Sequence, residues 1–209
     1  MKEQRLCVSR ALITLVFVLA FLPSAIAQTN RYMGDGLSFT YPSDWPLIDD
    51  SDATTQSLNL DRGQNEAKIM IVAIRAQMNS QQVAEEQPRV SEAIANVLAQ
   101  EIAKLGAQVQ RTSISETIGG MTASGFRLRA TLHGETSNAD VFWLYLSGRL
   151  VHVVFSGSDQ ERSRATYAWN MVRDTLRLGT PPINGSRLIS GRSVQVRLNN
   201  QLGDKEFLI

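Results

Sequence analysis

The chain has one cysteine, Cys7, and two histidines, His133 and His152, in 209 residues. That scarcity excludes a disulfide scaffold and a zinc cluster built from cysteine and histidine. Charge is balanced, with 21 Lys and Arg against 20 Asp and Glu, so no positive excess exists to draw a nucleic acid. Long apolar stretches are also missing. The longest, Ala11 to Leu22, falls short of the roughly 20 residues that a membrane-spanning helix needs. Three catalytic signatures do not occur: G-x-S-x-G, H-E-x-x-H and G-x-x-x-x-G-K-S/T.

What the N-terminus does have is the order of an export leader. Lys2, Arg5 and Arg10 precede the apolar run, and Pro23 and the small-residue pattern Ala25-Ile26-Ala27 follow it, the arrangement of a secretory signal. Residues 1–27 are therefore expected to be removed. Cys7 precedes the apolar run, so it is not placed to carry a lipid, and cleavage leaves a chain without cysteine. Removing Lys2, Arg5, Arg10 and Glu3 also takes the balance from +1 to −1. The expected location is exported, periplasmic or secreted, with no transmembrane segment after cleavage. The 182 residues that remain are enough for one domain with a core that needs no staples.

The mature chain is organised around residues 36–50. Leu37, Phe39 and Tyr41 alternate with Ser38 and Thr40, which puts the large side chains on one face of a strand. Pro42 ends that strand and Pro46 repeats the stop, because proline lacks the N–H a ladder needs. Trp45 between them reads as a plug over the core, with an exposed aromatic contact as the alternative. The acidic stretch Asp49, Asp50 and Asp52 reads as a solvated turn. It lacks the ligand spacing and the glycine of a calcium loop, so no metal is expected there. Asp44, Trp45, Asp49 and Asp50 form the first candidate interaction surface.

Further on, Gln56–Leu60 and Lys68–Ala76 read as strands, the second apolar on both faces. Ser80 is placed to cap a first helical turn and Pro88 to start the main helix, ending at Gly106. The stripe Val90, Ile94, Val97, Leu98, Ile102 and Leu105 has helical spacing. Four strands follow, Val109–Ile118, Thr122–Leu132, Ala139–Leu146 and Leu150–Phe155. Their short glycine-bearing spacers predict antiparallel hairpins. Ser158 to Glu161 has the form of a capping box, and Ala165, Trp169, Val172 and Leu176 make a second helical stripe. Because the central strands are apolar on both sides, helices are expected to supply the cover. The predicted class is α+β, an antiparallel sheet with helices on both faces.

Three motifs carry a resemblance: G-L-S-F-T-Y-P-S-D-W-P at 36–46, G-G-M-T-A-S-G-F at 119–126, and Y-L-S-G-R-L-V-H-V-V-F-S-G at 145–157. In this order the chain resembles the PsbP-like group, which includes the extrinsic subunit of photosystem II, the bacterial DcrB lipoproteins and the Ran-binding Mog proteins. The resemblance covers about Gly36 to Leu178. It implies an α-β-α sandwich that acts as a binding or assembly accessory without catalytic apparatus. The chain departs from the group in lacking the lipid-attachment cysteine of the DcrB kind and in running on past the last helix. No binding residue of the group is matched here.

The expected organisation is a signal peptide at 1–27, one PsbP-like domain at 28–179 and a tail at 180–209, mobile or forming an edge strand. In the tail Val194, Val196 and Leu198 alternate with Gln195 and Arg197, so the segment can form a strand with one apolar face. These three residues are the second candidate interaction element, able to add a strand to a partner. Two functions stay open. One is a non-catalytic envelope module that binds a protein partner, without nucleic acid or cofactor. The other is a small-ligand or metal-dependent enzyme using His133 and His152, with Asp140 as a third ligand. The leader reading has a direct check: N-terminal sequencing of the exported protein is expected to begin at Gln28, and a mature chain that retains Met1 would overturn it.

Overall fold

The computed structural model describes residues 28–179 apart from 64–65, 105–106 and 133. The expected leader at 1–27 and the tail at 180–209 lie outside the described residues. The strands are β1 (Thr29–Gly34), β2 (Leu37–Pro42), β3 (Leu47–Asp49), β4 (Thr55–Asp61), β5 (Lys68–Ile74), β6 (Val109–Ile118), β7 (Met121–Leu132), β8 (Glu135–Leu146), β9 (Arg149–Ser158) and β10 (Arg177–Leu178). Helix α1 (Ser80–Lys104) stands between β5 and β6, and α2 (Asp159–Arg164) and α3 (Thr166–Thr175) follow β9. Among the described residues no helix is long and apolar enough to cross a membrane.

The strands form two sheets, a seven-stranded one in the order β3-β4-β5-β9-β8-β7-β6 and a three-stranded one in the order β1-β2-β10. Every pairing is antiparallel. The chain is thus α+β, built on antiparallel sheets. The short spacers do make hairpins, with Ile118 opposite Met121 across Gly119-Gly120 and Leu146 opposite Arg149 across Ser147-Gly148. All four of these turn residues have positive φ, the geometry that two-residue hairpin turns require.

Alternation along β5 builds two cores. Ile69, Ile71 and Ala73 enter one, with Leu58, Phe142, Val153 and Phe155. Val72 and Ile74 enter the other, with Phe126, Val141 and Val154. Ile69, Ile71, Val72 and Ile74 are each at most 1% exposed, and burying such a side chain stabilises by about 1.5–3 kcal/mol. Val90, Ile94 and Ala95 of α1 join the second core. Ala168, Trp169 and Val172 of α3 join the first, and so do Leu37 and Phe39 of β2. On the first core the small sheet shares the cover with helix α3. The opening strand can pair outside the large sheet because the chain turns at Pro42 and Pro46 before β3 begins.

Two local expectations also change. The main helix starts at Ser80 and carries Pro88 inside it, instead of starting at Pro88. Its cap is Asn79, whose Oδ1 accepts from the Gln82 N–H at 2.9 Å, while Gln82 Oε1 accepts from the Asn79 N–H at 2.9 Å. That reciprocal pair satisfies two N-terminal donors and anchors the helix two turns ahead of the proline. At the second helix the Ser158 box forms as expected, with Glu161 N–H donating to Ser158 Oγ at 3.3 Å and Ser158 N–H to Glu161 Oε2 at 2.7 Å. Ala165 then divides α2 from α3.

Trp45 is 1% exposed and belongs to the first core. Its indole N–H donates to the Tyr167 hydroxyl at 2.9 Å, and the rings meet edge to face at 84°. The ring is a packing residue, so Trp45→Ala is expected to lower the unfolding free energy by about 3–5 kcal/mol in urea titration. Tyr167→Phe, which leaves a buried N–H unpaired, should cost about 1–3 kcal/mol.

Candidate functional site

The first candidate surface separates into unlike parts. Trp45, offered as a possible contact, is withdrawn into the core. What reaches solvent there is Tyr167, 41% exposed, whose hydroxyl donates to Asp44 at 3.2 Å. Arg62 approaches the same carboxylate at 3.5 Å. Asp49 accepts from the Ser51 N–H at 3.0 Å and Asp50 from the Asn59 side chain at 3.0 Å. Asp52 accepts from the N–H groups of Thr54 and Thr55, each at 2.7 Å. These carboxylates organise the turn between β3 and β4, and among the described residues no group of three or more His, Cys, Asp or Glu could hold a metal.

The histidine reading meets a parity constraint. His152 lies opposite Trp143 and Val72, and Asp140 lies opposite Phe155. Successive side chains in β9 point to opposite faces. Phe155 belongs to the first core and Val154 to the second, so Asp140 faces the first side and His152 the second. The proposed pairing of Asp140 with His152 on one ion is therefore excluded. His133 lies outside the described residues. Asp140 is instead held by Arg127 through two bonds of 2.5 and 2.7 Å and by Arg162. Arg162 also donates to Phe155 O at 2.8 Å and covers the Phe155 ring at 4.4 Å, which clips α2 onto β8 and β9.

A buried polar cluster went unread in the sequence. Arg149 is 1% exposed and donates to Ile74 O at 3.1 Å, Asp35 O at 2.7 Å and Gln56 Oε1 at 3.1 Å. Gln56 in turn donates to the Tyr32 hydroxyl and to Gly34 O, each at 2.9 Å. Arg75 pairs with Asp35. Burial, then the nearby Arg75 charge, push the Arg149 pKa down. In the sequence Arg149 looks like one more residue after a Ser-Gly turn; only the meeting of the two sheets makes it interior.

The surface with unspent bonding capacity is the edge of the large sheet. β6 is ten residues long and, among the described residues, pairs with β7 alone. The two-residue Gly119-Gly120 turn makes Ile118 and Met121 a hydrogen-bonded pair, so even-numbered residues of β6 bond to β7 and odd-numbered ones turn their N–H and C=O outward. Thr117 N–H, one of these, is taken by the Glu116 side chain at 3.0 Å. Arg111, Ser113 and Ser115 present the rest.

The usual protections of an edge are absent from the middle of β6. It has no Pro, Gly or Lys. Arg111 is drawn to Glu92 on α1 at 2.8 Å and over the Phe126 ring at 4.1 Å. Glu116 faces Arg173 at 3.9 Å. Both charges turn toward the sheet's own faces, leaving Thr112-Ser113-Ile114-Ser115 neutral. The other edge, β3, is three residues long, follows Pro46 and ends at Asp49, which is how edges are kept from pairing. Val194, Val196 and Leu198, the second candidate element, lie outside the described residues.

No family model matches the chain, and no curated protein matches it. Among solved structures it is similar to cyanobacterial PsbP from Synechocystis sp. PCC 6803, at 16% identity over 75% of this chain and 96% of that one, with a TM-score of 0.45. It is also similar to LpqN of Mycobacterium tuberculosis, a protein involved in cell envelope biogenesis, at 14% identity over 79% and 97% of the two chains and a TM-score of 0.41. The Saccharomyces cerevisiae Ran-binding protein Mog1p matches at 10% identity over 72% and 94%, with a TM-score of 0.40. A PsbP and a Mog protein are thus among the solved structures to which the chain is similar.

His152 gives the fold a pH dependence. It is 0% exposed, neither ring nitrogen has a partner among the described residues, and burial pushes its pKa down to about 4. An unfolded histidine titrates near 6.5, so between these values the unfolded state binds the extra proton. Stability is complete above about pH 6.5 and declines toward about pH 4, by up to about 3 kcal/mol from this group. His152→Leu is expected to flatten the urea midpoint across that window. An unchanged slope would assign the dependence to other groups.

Proposed function

We propose that the chain is an exported, non-catalytic binding module of the bacterial envelope that takes a strand of a partner protein onto β6. In this reading residues 28–179 are one α-β-α sandwich domain, with helices on both faces of the large sheet, and the leader at 1–27 brings it to the envelope. The observation that carries the reading is the neutral middle of β6, a sheet edge with no further strand beside it among the described residues. Main-chain groups that face outward from such an edge supply affinity to any extended peptide of matching direction, and flanking side chains supply selectivity. The polar groups gathered inside the fold support a role without catalysis. Asp140 is committed to two arginines, and Arg149 to three oxygens.

Proline at an outward-facing edge position removes a donor without breaking the ladder beneath it. Ser113 is such a position, since its N–H faces away from β7. A photo-crosslinking side chain placed at Ser115 in the native host is expected to capture a partner protein. Ser113→Pro is expected to abolish that capture and Ser113→Ala, which keeps the N–H, to retain it. Capture that survives Ser113→Pro would overturn strand addition at β6.

A further inference from the structure

The sheet beside β6 is finished differently on its two sides. On the side of the second core Phe126, Leu128 and Ala130 of β7 are all buried. On the side of the first core the cover runs out. Along β7, Ala123 and Gly125 are buried, Arg127 is half-buried, and Arg129 and Thr131 are exposed. The residues of β6 that share this side follow the same course, from buried Ile118 through half-buried Glu116 and Ile114 to exposed Thr112 and Gln110. Helix α3 meets this series at its Gly119 end, where Arg173 O accepts from the Gly119 N–H at 2.7 Å. Toward the other end Thr112 stands opposite Arg127 and Gln110 opposite Arg129, so two arginines form an uncovered shelf one strand inward from the edge.

The shelf carries unspent positive charge. Arg127 and Arg162 share the one Asp140 carboxylate. Asp159, the other acid that acts on Arg127, is bound by the Asn138 side chain. Arg129 makes no ion pair among the described residues. Three arginines therefore stand against two carboxylates, and Glu116, the acid of β6 on this side, faces Arg173 at 3.9 Å. Donors are left over as well. Arg127 spends Nε and Nη2 on Asp140 at 2.5 and 2.7 Å, which leaves its Nη1 to point elsewhere.

We propose that the strand taken at β6 is acidic: an antiparallel segment with an apolar residue beside Ile114 and Asp or Glu beside Thr112 and Gln110, its carboxylates met by Arg127 and Arg129. Residues directly opposite each other in a sheet share a face, so these three side chains all come to the uncovered side. A residue paired with Thr112 or Gln110 stands two strand spacings, about 9.6 Å, from the arginine strand. Thr112 and Gln110 are uncharged and shorter than arginine, so guanidinium and carboxylate meet over them. Ile114, half-buried against the first core, gains its missing cover from the apolar residue. A basic strand would place like charges together, which is how an interface rejects wrong partners.

This inference rests on the β6 reading and names the partner's chemistry, so its test separates the two. The probes are two synthetic heptapeptides, blocked at both ends, Thr-Val-Thr-Glu-Thr-Glu-Thr and the same peptide with lysine for glutamate. Each is titrated at millimolar concentration into the exported protein while the backbone amides of β6 and β7 are followed by NMR. The glutamate peptide is expected to bind about tenfold more tightly at low salt, with its shifts on β6, and the preference to shrink as salt is added. Arg129→Glu is expected to remove most of the preference and Arg129→Lys to keep it, both with an unchanged urea midpoint because the side chain is exposed and unpaired. Ser113→Pro is expected to weaken binding of the glutamate peptide.

Equal affinity for the two peptides would overturn the acidic preference, and shifts confined to β6 would in that case still support strand addition. A glutamate preference that survives Ser113→Pro unchanged would overturn the proposal from the other side, since the shelf would then hold acids without a strand on β6. Absence of binding by both peptides would overturn it outright, while the Ser115 crosslink continues to decide the β6 reading.

Discussion

Arg149 ties the two sheets together from the inside. Its guanidinium reaches Ile74 O on β5, Asp35 O in the turn between β1 and β2, and Gln56 Oε1 on β4. A cation taken out of water is costly unless its donors are met, and here three oxygens on three different elements meet them. The small sheet cannot shift against the large one without leaving that charge stranded. The left-handed turn residues Asp35 and Gly36, at φ 47° and 77°, keep the Asp35 carbonyl in place, and the Arg75–Asp35 ion pair closes the cluster toward solvent.

With the small sheet held, the first core is sealed by Leu37, Phe39 and Trp45 on one side and by Trp169 and Val172 on the other. Phe155 stacks on Trp169 with centroids 5.1 Å apart, so α3 is fixed against β9. That in turn sets Leu176 beside Gly119, and from there β10 brings Gly179 to donate its N–H to Gly36 O at 2.6 Å. The buried Arg149 and the Gly119 turn that ends β6 are thus linked through a single packed layer. The two edges of the large sheet then differ: β3 is three residues long, preceded by Pro46 and ended by Asp49, while β6 is long and neutral in its middle.

Much of this was legible residue by residue. The glycine pairs located the hairpins because two-residue turns need positive φ, and the S-x-x-E pattern located α2 because its reciprocal bonds are local. Pro88 misled because proline marks a helix start only when nothing upstream caps better, and Asn79 with Gln82 does. The proposed Asp140 and His152 pairing failed on strand parity. The sequence contains both residues, but the faces they point to depend on the register that β8 and β9 adopt together. Trp45 was readable as a plug from its two prolines, yet its hydroxyl partner, Tyr167, stands 122 residues away and no local rule connects them.

The sequence by itself determined the class of elements, their order and the alternation that makes β5, β8 and β9 central, because period, turn chemistry and capping act over a few residues. Only the tertiary structure decided that β2 leaves the large sheet, that Arg149 is interior, and that β6 ends a sheet with its charges drawn inward. Those properties depend on which strands become neighbours. Neighbours far apart in the chain are chosen by the sum of the packing, which no short stretch of residues carries.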